Sequence, residues 1–211
     1  MNAVKLFDLN MGQLPTQMPM LCMPGLFLMP TAKLSLKLVD AKQITMIFKA
    51  LTKGRMVGVI QSADRTRAPY TKGCAGRISG FIENEDDSLT LYLTGVSRFE
   101  VLERNTQEDV DWLTVSYDLF QDDFKNDVTL DMTELLFALD VYASVQKLDI
   151  KSTLFAQMNA QKIIAALVSI LPFSSLEKQA LLEKTKWGEC RDALLTLLKM
   201  ETIQDKEKGQ C

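Results

Sequence analysis

Apolar and polar residues alternate along the first half of the chain, and apolar residues recur every three to four positions along the second. Leu34, Leu36 and Leu38 are separated by Ser35 and Lys37, and Leu89, Leu91 and Leu93 by Thr90 and Tyr92. Each run is the period-two signature of a strand with one buried face. Leu26-Phe27-Leu28-Met29, between Gly25 and Pro30, predicts a short extended run, and Met56-Val57-Gly58-Val59-Ile60 a buried strand. Ile78, Gly80 and Ile82 fall on one side of a further strand, and Leu113, Val115, Tyr117 and Leu119 on one side of a last one. Gly95 predicts a bulge or sharp bend, because a glycine inside a strand leaves a gap in side-chain packing. Beyond it Phe99 and Val101 resume the inward face. Residues 1 to 19 read as an N-terminal arm, residues 61 to 72 as a long loop, and Asn84 to Ser88 as a polar turn.

One helix interrupts the strands. Asp40 and Gln43 have capping-box spacing, Ile44, Ile47, Phe48 and Leu51 form an apolar face, and Gly54 supplies a left-handed stop. From about residue 127 the period is 3.6. Asp131 and Glu134 predict a second box ahead of Leu135, Leu136, Leu139, Tyr142 and Ala143. Asn159 caps a helix with Ile163, Ile164, Leu167 and Ile170, stopped by Pro172. Ser174 and Glu177 form a third box before Ala180 and Leu181, and a final helix carries Cys190, Leu194, Leu197 and Leu198. The tail from Gln204 reads as frayed. Strands followed by segregated helices predict an α+β protein: a β-barrel-like module over residues 14–124 and a helical bundle over residues 125–204.

Composition excludes several chemistries. The 211 residues include no histidine, which removes Ser-His-Asp and Cys-His nucleophiles and every imidazole metal site. Cys22, Cys74, Cys190 and Cys211 lack metal-ligand spacing and read as reduced thiols of a cytoplasmic protein. No secretory signal and no apolar run of membrane-spanning length is present. There is no Gly-x-x-x-x-Gly-Lys-Ser/Thr loop for ATP, and no cofactor is expected. Ser174 near Lys178 is explained by capping rather than by a Ser–Lys dyad, and Glu83, Glu85, Asp86 and Asp87 by a solvated hairpin tip rather than by a cation site. The net charge of −3 is unevenly spread: seven bases face one acid from Lys49 to Arg77, and eight acids face one base from Glu108 to Asp131.

Four stretches carry a resemblance: Met23-Pro24-Gly25-Leu26-Phe27-Leu28-Met29-Pro30, the strand Gly73 to Ile78, the segment Leu93 to Val101, and Leu171-Pro172-Phe173-Ser174-Ser175-Leu176-Glu177-Lys178-Gln179-Ala180-Leu181-Leu182-Glu183. In this order they are similar to the N-terminal substrate-binding domain of the Lon protease family. They resemble most the stand-alone bacterial proteins that carry the domain without the rest of the protease. The resemblance runs from about Met18 to Met200. It implies a PUA-like β pseudo-barrel with an all-helical bundle subdomain, a non-catalytic role, and partners that are unfolded or partly unfolded polypeptides, with a separate Lon-type protease as a second partner. Relatives usually show Phe-Glu-Pro-Arg-Tyr where this chain has Val39-Asp40-Ala41-Lys42-Gln43.

Under that expectation the candidate polypeptide-binding residues are Met23, Leu26, Phe27, Met29, Arg77 and Arg98. Methionine adapts to varied partners, and a free strand edge in this N-terminal segment would hold an extended chain. The plainer alternative makes Met18, Met20, Met23, Leu26, Phe27 and Met29 part of the core. Arg77 and Arg98 line a groove in one reading and pair with acids to close the barrel end in the other. A rival function is RNA binding through the Lys49–Arg77 region, since PUA-like barrels elsewhere hold RNA. Only Tyr70 supplies an aromatic there, so nucleic acid is the weaker partner. Trp112 and Trp187 read as packing anchors.

Overall fold

The structure, a computed structural model, describes residues 11–62, 68–107, 110–125 and 128–208. The chain divides into two compact units, Met1–Asn126 and Asp127–Cys211.

The first unit is built on six strands and one helix: β1 (Gln17–Pro24), β2 (Lys33–Leu38), α1 (Ala41–Thr52), β3 (Met56–Ser62), β4 (Lys72–Glu83), β5 (Leu89–Gln107) and β6 (Val110–Ser116). They pair in the order β2-β5-β4-β3-β1-β6, and β6 pairs in turn with the far half of β5. The pairings thus lead back to β5, which makes a pseudo-barrel. β5 bends to do this. Its first half lies between β2 and β4, and at Glu100 it faces Lys72 of β4 and Ser116 of β6. The bend coincides with a register shift, where Ala75 opposes Ser97 but Gly76 opposes Gly95, as expected for a glycine bulge. Gly95 is required there, because a Cβ would run into the Met29 carbonyl oxygen.

Both faces of β3 are buried, which explains its unbroken apolar run. Met56 and Ile60 join Met18, Ala75, Phe99, Leu113 and Val115 in one core. Val57 and Val59 join Leu28, Ile47, Ile78, Leu91 and Leu93 in another, which α1 covers. Asp40 caps α1 as expected, its Oδ1 accepting from the Lys42 and Gln43 amides at 2.7 and 3.2 Å. Gly54 follows at φ +89.

Three strand expectations are corrected. The N-terminal strand is Gln17–Pro24, beginning within the supposed arm, and Leu26–Met29 forms no strand but packs as irregular chain. Pro19 is tolerated because it marks a change of partner: β6 pairs with Gln17 to Pro19, and β3 with Met20 to Pro24. A second register shift between Ile78 and Gly80 reverses the faces beyond it, so Ile82 is 51% exposed while Ile78 is buried. The last strand ends at Ser116, and a 3-10 segment, Asp118–Phe124, buries Phe120 and leaves Leu119 exposed.

The second unit holds α2 (Thr133–Val145), α3 (Ala160–Ile170), α4 (Ser175–Leu182) and α5 (Trp187–Lys208). Asn159 caps α3 through the Lys162 amide at 3.0 Å, and α4 has the full Ser174–Glu177 box. The box expected at α2 does not form. Asp131 lies one residue too early and accepts from the Thr133 amide at 2.9 Å, while Glu134 pairs with Lys199 at 2.6 Å. Ile170 and Ala180 are exposed rather than packed, and α5 continues past Gln204 to Lys208.

Candidate functional site

The sequence-expected binding residues scatter. Leu26 and Met29 are core residues, as is Met18, so most of the methionine-rich segment packs inward. Met23 and Phe27 are half-buried, with Met23 packed against the α1-side core. Arg98 is fully enclosed. Its Nη2 and Nε donate to Asp123 Oδ1 at 2.7 and 3.2 Å, its Nε also reaches Oδ2 at 3.0 Å, and its Cζ lies 4.8 Å from the Phe120 ring centroid. Asp123 also accepts the Arg98 backbone amide at 2.8 Å. That amide lies on the stretch of β5 between its pairings with β2 and with β6, so one carboxylate fills the seam and neutralises the guanidinium. Arg98 has no surface for a ligand; Arg77, half-buried, does.

Arg77 lines a pocket of about 250 Å³ together with Lys53, Gly54, Met56, Leu14 and Pro15. Tyr117 anchors the wall by donating its hydroxyl to the Pro15 carbonyl at 2.8 Å, and burial raises its pKa above that of an ordinary phenol. Lys53 is exposed, with its Nζ 4.7 Å from the Trp112 ring centroid.

Next to this pocket the sheet has an open edge. β3 pairs with β4 only from Met56 opposite Arg77 to Val59 opposite Cys74, and the Ile78 amide then donates to the Arg55 carbonyl at 2.8 Å. β4 continues to Glu83 against β5. Among the described residues, no strand covers the other side of Ser79–Glu83. Two aromatic rings sit at this edge: Phe48 of α1 and Phe81 of β4 meet edge to face at 6.1 Å and are 41% and 39% exposed. Ile82 and Tyr92 add apolar surface on the opposite face of the strands. The sequence places Phe48 on the core face of α1, yet the residues that bury are Met46, Ile47 and Ala50. At the hairpin tip Asp86 is held by Lys37 at 2.6 Å and by Ser88, which lowers its pKa to about 2, while Glu83 and Glu85 face solvent.

Other expected features have structural roles. Ser174 caps α4, and Lys178 donates to the Ser169 carbonyl at 3.1 Å. Cys74 is buried and its thiol pKa is pushed up by that burial, the reverse of an activated nucleophile. Among the described residues, no group of His, Cys, Asp or Glu is arranged to hold a metal ion, and no helix is long and apolar enough to cross a membrane. Arg65 and Arg67 of the basic run lie outside the described residues.

The family described as the ATP-dependent protease La (Lon) substrate-binding domain matches residues 17–199. Among solved structures the fold is similar to the Lon N-terminal domain protein from Xanthomonas campestris, with a TM-score of 0.65 and 19% identity over 85% of this chain and 97% of that one. It is also similar to the N-terminal domain of the Mycobacterium avium complex Lon protease, with a TM-score of 0.66 and 12% identity over 87% of this chain and 98% of that one. No curated protein matches the chain. A protease's substrate-binding domain gives no support to the RNA-binding alternative. With its pseudo-barrel, its helical unit and a family match over nearly its whole length, the chain belongs to the Lon substrate-binding domain family.

Proposed function

We propose that this chain binds polypeptides, capturing apolar segments that unfolded or partly unfolded proteins expose, and that it serves protein quality control alongside a Lon-type protease. The observation that carries the reading is the pair of half-exposed rings, Phe48 and Phe81, beside the uncovered edge of β4. Soluble proteins usually protect such an edge with lysine, proline or a covering element. Here it carries Phe81 and Ile82 instead. An extended chain placed there gains main-chain hydrogen bonds from β4 and buries alternate side chains against the rings. Folded proteins keep their backbone groups paired internally, so the site discriminates against folded partners.

The test is binding of a fluorescent, destabilised protein against its native counterpart. Only the destabilised form should bind, and Phe81→Ala, with its fold checked by circular dichroism, should weaken binding roughly tenfold, the equivalent of about 1.4 kcal/mol. Equal binding of both forms, or no effect of Phe81→Ala, would count against it.

A further inference from the structure

The same edge has a polarity. β3 occupies the β4 edge as far as Arg77, so a strand added beside Ser79–Glu83 meets the Arg55–Met56 backbone at one end and must stop there or turn away. At that point lies the 250 Å³ pocket, with Lys53 and Arg77 in its lining and Arg55 exposed next to it. The opposite end of the edge is the hairpin tip, where Glu83 and Glu85 are exposed. The added strand therefore runs from a negative end to a positive one. β4 itself runs from Ile78 towards the tip, so a strand antiparallel to it begins at Glu83 and ends at Ile78. In that direction its N-terminal side faces the acids and its C-terminal end faces Lys53 and Arg77, with each charge met by its opposite.

We infer that the occupant is the C-terminal tail of a polypeptide, laid antiparallel on Ser79–Glu83, with apolar side chains against Phe48 and Phe81 and its terminal carboxylate in the Lys53–Arg77 pocket. A chain end needs no room beyond the pocket, whereas an internal segment would have to turn sharply away from β3. Arg offers a planar fork that suits a carboxylate, and Lys53 adds a second cation. A basic residue several positions before the C-terminus falls beside Glu83 and Glu85.

The inference rests on the polypeptide-binding reading, and the experiment separates the two. Fluorescein is attached to the N-terminus of an extended apolar peptide bearing one lysine upstream, and anisotropy is followed for three forms: a free C-terminal carboxylate, a C-terminal amide, and the same sequence followed by six glycine and serine residues. The free acid should bind about tenfold tighter than either of the others. Arg77→Gln, and separately the exposed Lys53→Gln, should bring the acid to the affinity of the amide. Equal affinity of all three forms for the unaltered protein overturns the terminal-carboxylate assignment and leaves polypeptide binding standing. Failure of every peptide, together with failure of the destabilised protein to bind, overturns both.

Discussion

Replacing Asp123 with alanine should unravel the strand unit more than any surface substitution, and the magnitude follows from what that carboxylate does. It neutralises a guanidinium with no exposed surface and accepts the backbone amide of the same residue. Removing one partner of a fully buried ion pair costs about 3–5 kcal/mol, because the remaining charge stays desolvated. The freed Arg98 amide adds about 1–3 kcal/mol unless water reaches it. Replacing both partners with apolar residues, as in Arg98→Met with Asp123→Leu, eliminates the first cost and keeps the second. The single variant should therefore lose about 4 kcal/mol or more, and the double variant should recover most of that but not all. Urea unfolding followed by Trp112 fluorescence, in a Trp187→Phe background, reports on this unit alone. With a denaturant slope of about 2 kcal/mol per molar, the midpoint should fall by about 2 M. A loss below about 1 kcal/mol for Asp123→Ala, or a double variant less stable than the single, would refute the view that this pair seals the seam in β5.

Three further outcomes are expected. Gly95→Ala drives a Cβ into the Met29 carbonyl while Gly95 is held by backbone bonds to Thr31 and Ala32, so it should cost about 1–3 kcal/mol in the same unfolding assay. Ser174→Ala removes the hydroxyl half of the α4 box, leaving the Ser174 amide to Glu177 bond, and should lower helical-unit stability by about 1 kcal/mol, with Ser174→Thr restoring most of it, as read by circular dichroism melts. Asp86 is ionised more readily in the folded chain, chiefly through the Lys37 hydrogen bond, so its small contribution is fully present above pH 3.8 and is lost as pH falls towards about 2. In Lys37→Ala the carboxyl carbon shift of Asp86 should titrate closer to 3.8, and an unchanged titration would remove Lys37 as the cause.

Much of this fold is legible in the sequence where a local rule suffices. β2 and the first half of β5 follow from strict alternation, and the caps at Asp40, Asn159 and Ser174 follow because each hydrogen bond closes within three residues. The failures are non-local. Arg98 and Asp123 are 25 residues apart, and Asp123 sits in an acidic run that looks fully solvated on composition alone. Pro19 conceals β1, since its missing donor matters only if one knows where β1 changes partner. Strict alternation puts Ile82 on the same side as Ile78, and one bulged residue reverses it. The candidate site was invisible for the same reason. Neither Phe48 nor Phe81 signals exposure, and the open edge exists only because β3 pairs with four residues of a twelve-residue strand.

That mismatch of strand lengths gives the site its physical origin. β4 reaches Glu83 because β5 supports it along the whole hairpin, and β5 is long because it must also close the pseudo-barrel against β6. β3 faces no such demand: it begins at Met56, opposite Arg77 and close after α1, and runs from there away from the hairpin. The extra length of β4 is thus built by the closure of the barrel but is not needed to fill it. Burying Phe48 and Phe81 would need only a covering loop or a longer β3, and replacing them with polar residues would remove the exposed surface at little cost to either core. A surface of this kind, open along its backbone and apolar in its side chains, carries an aggregation risk that packing does not demand. The proposed binding of an extended chain matches both halves of this chemistry, because such a partner supplies unpaired peptide groups together with apolar side chains in a two-residue repeat.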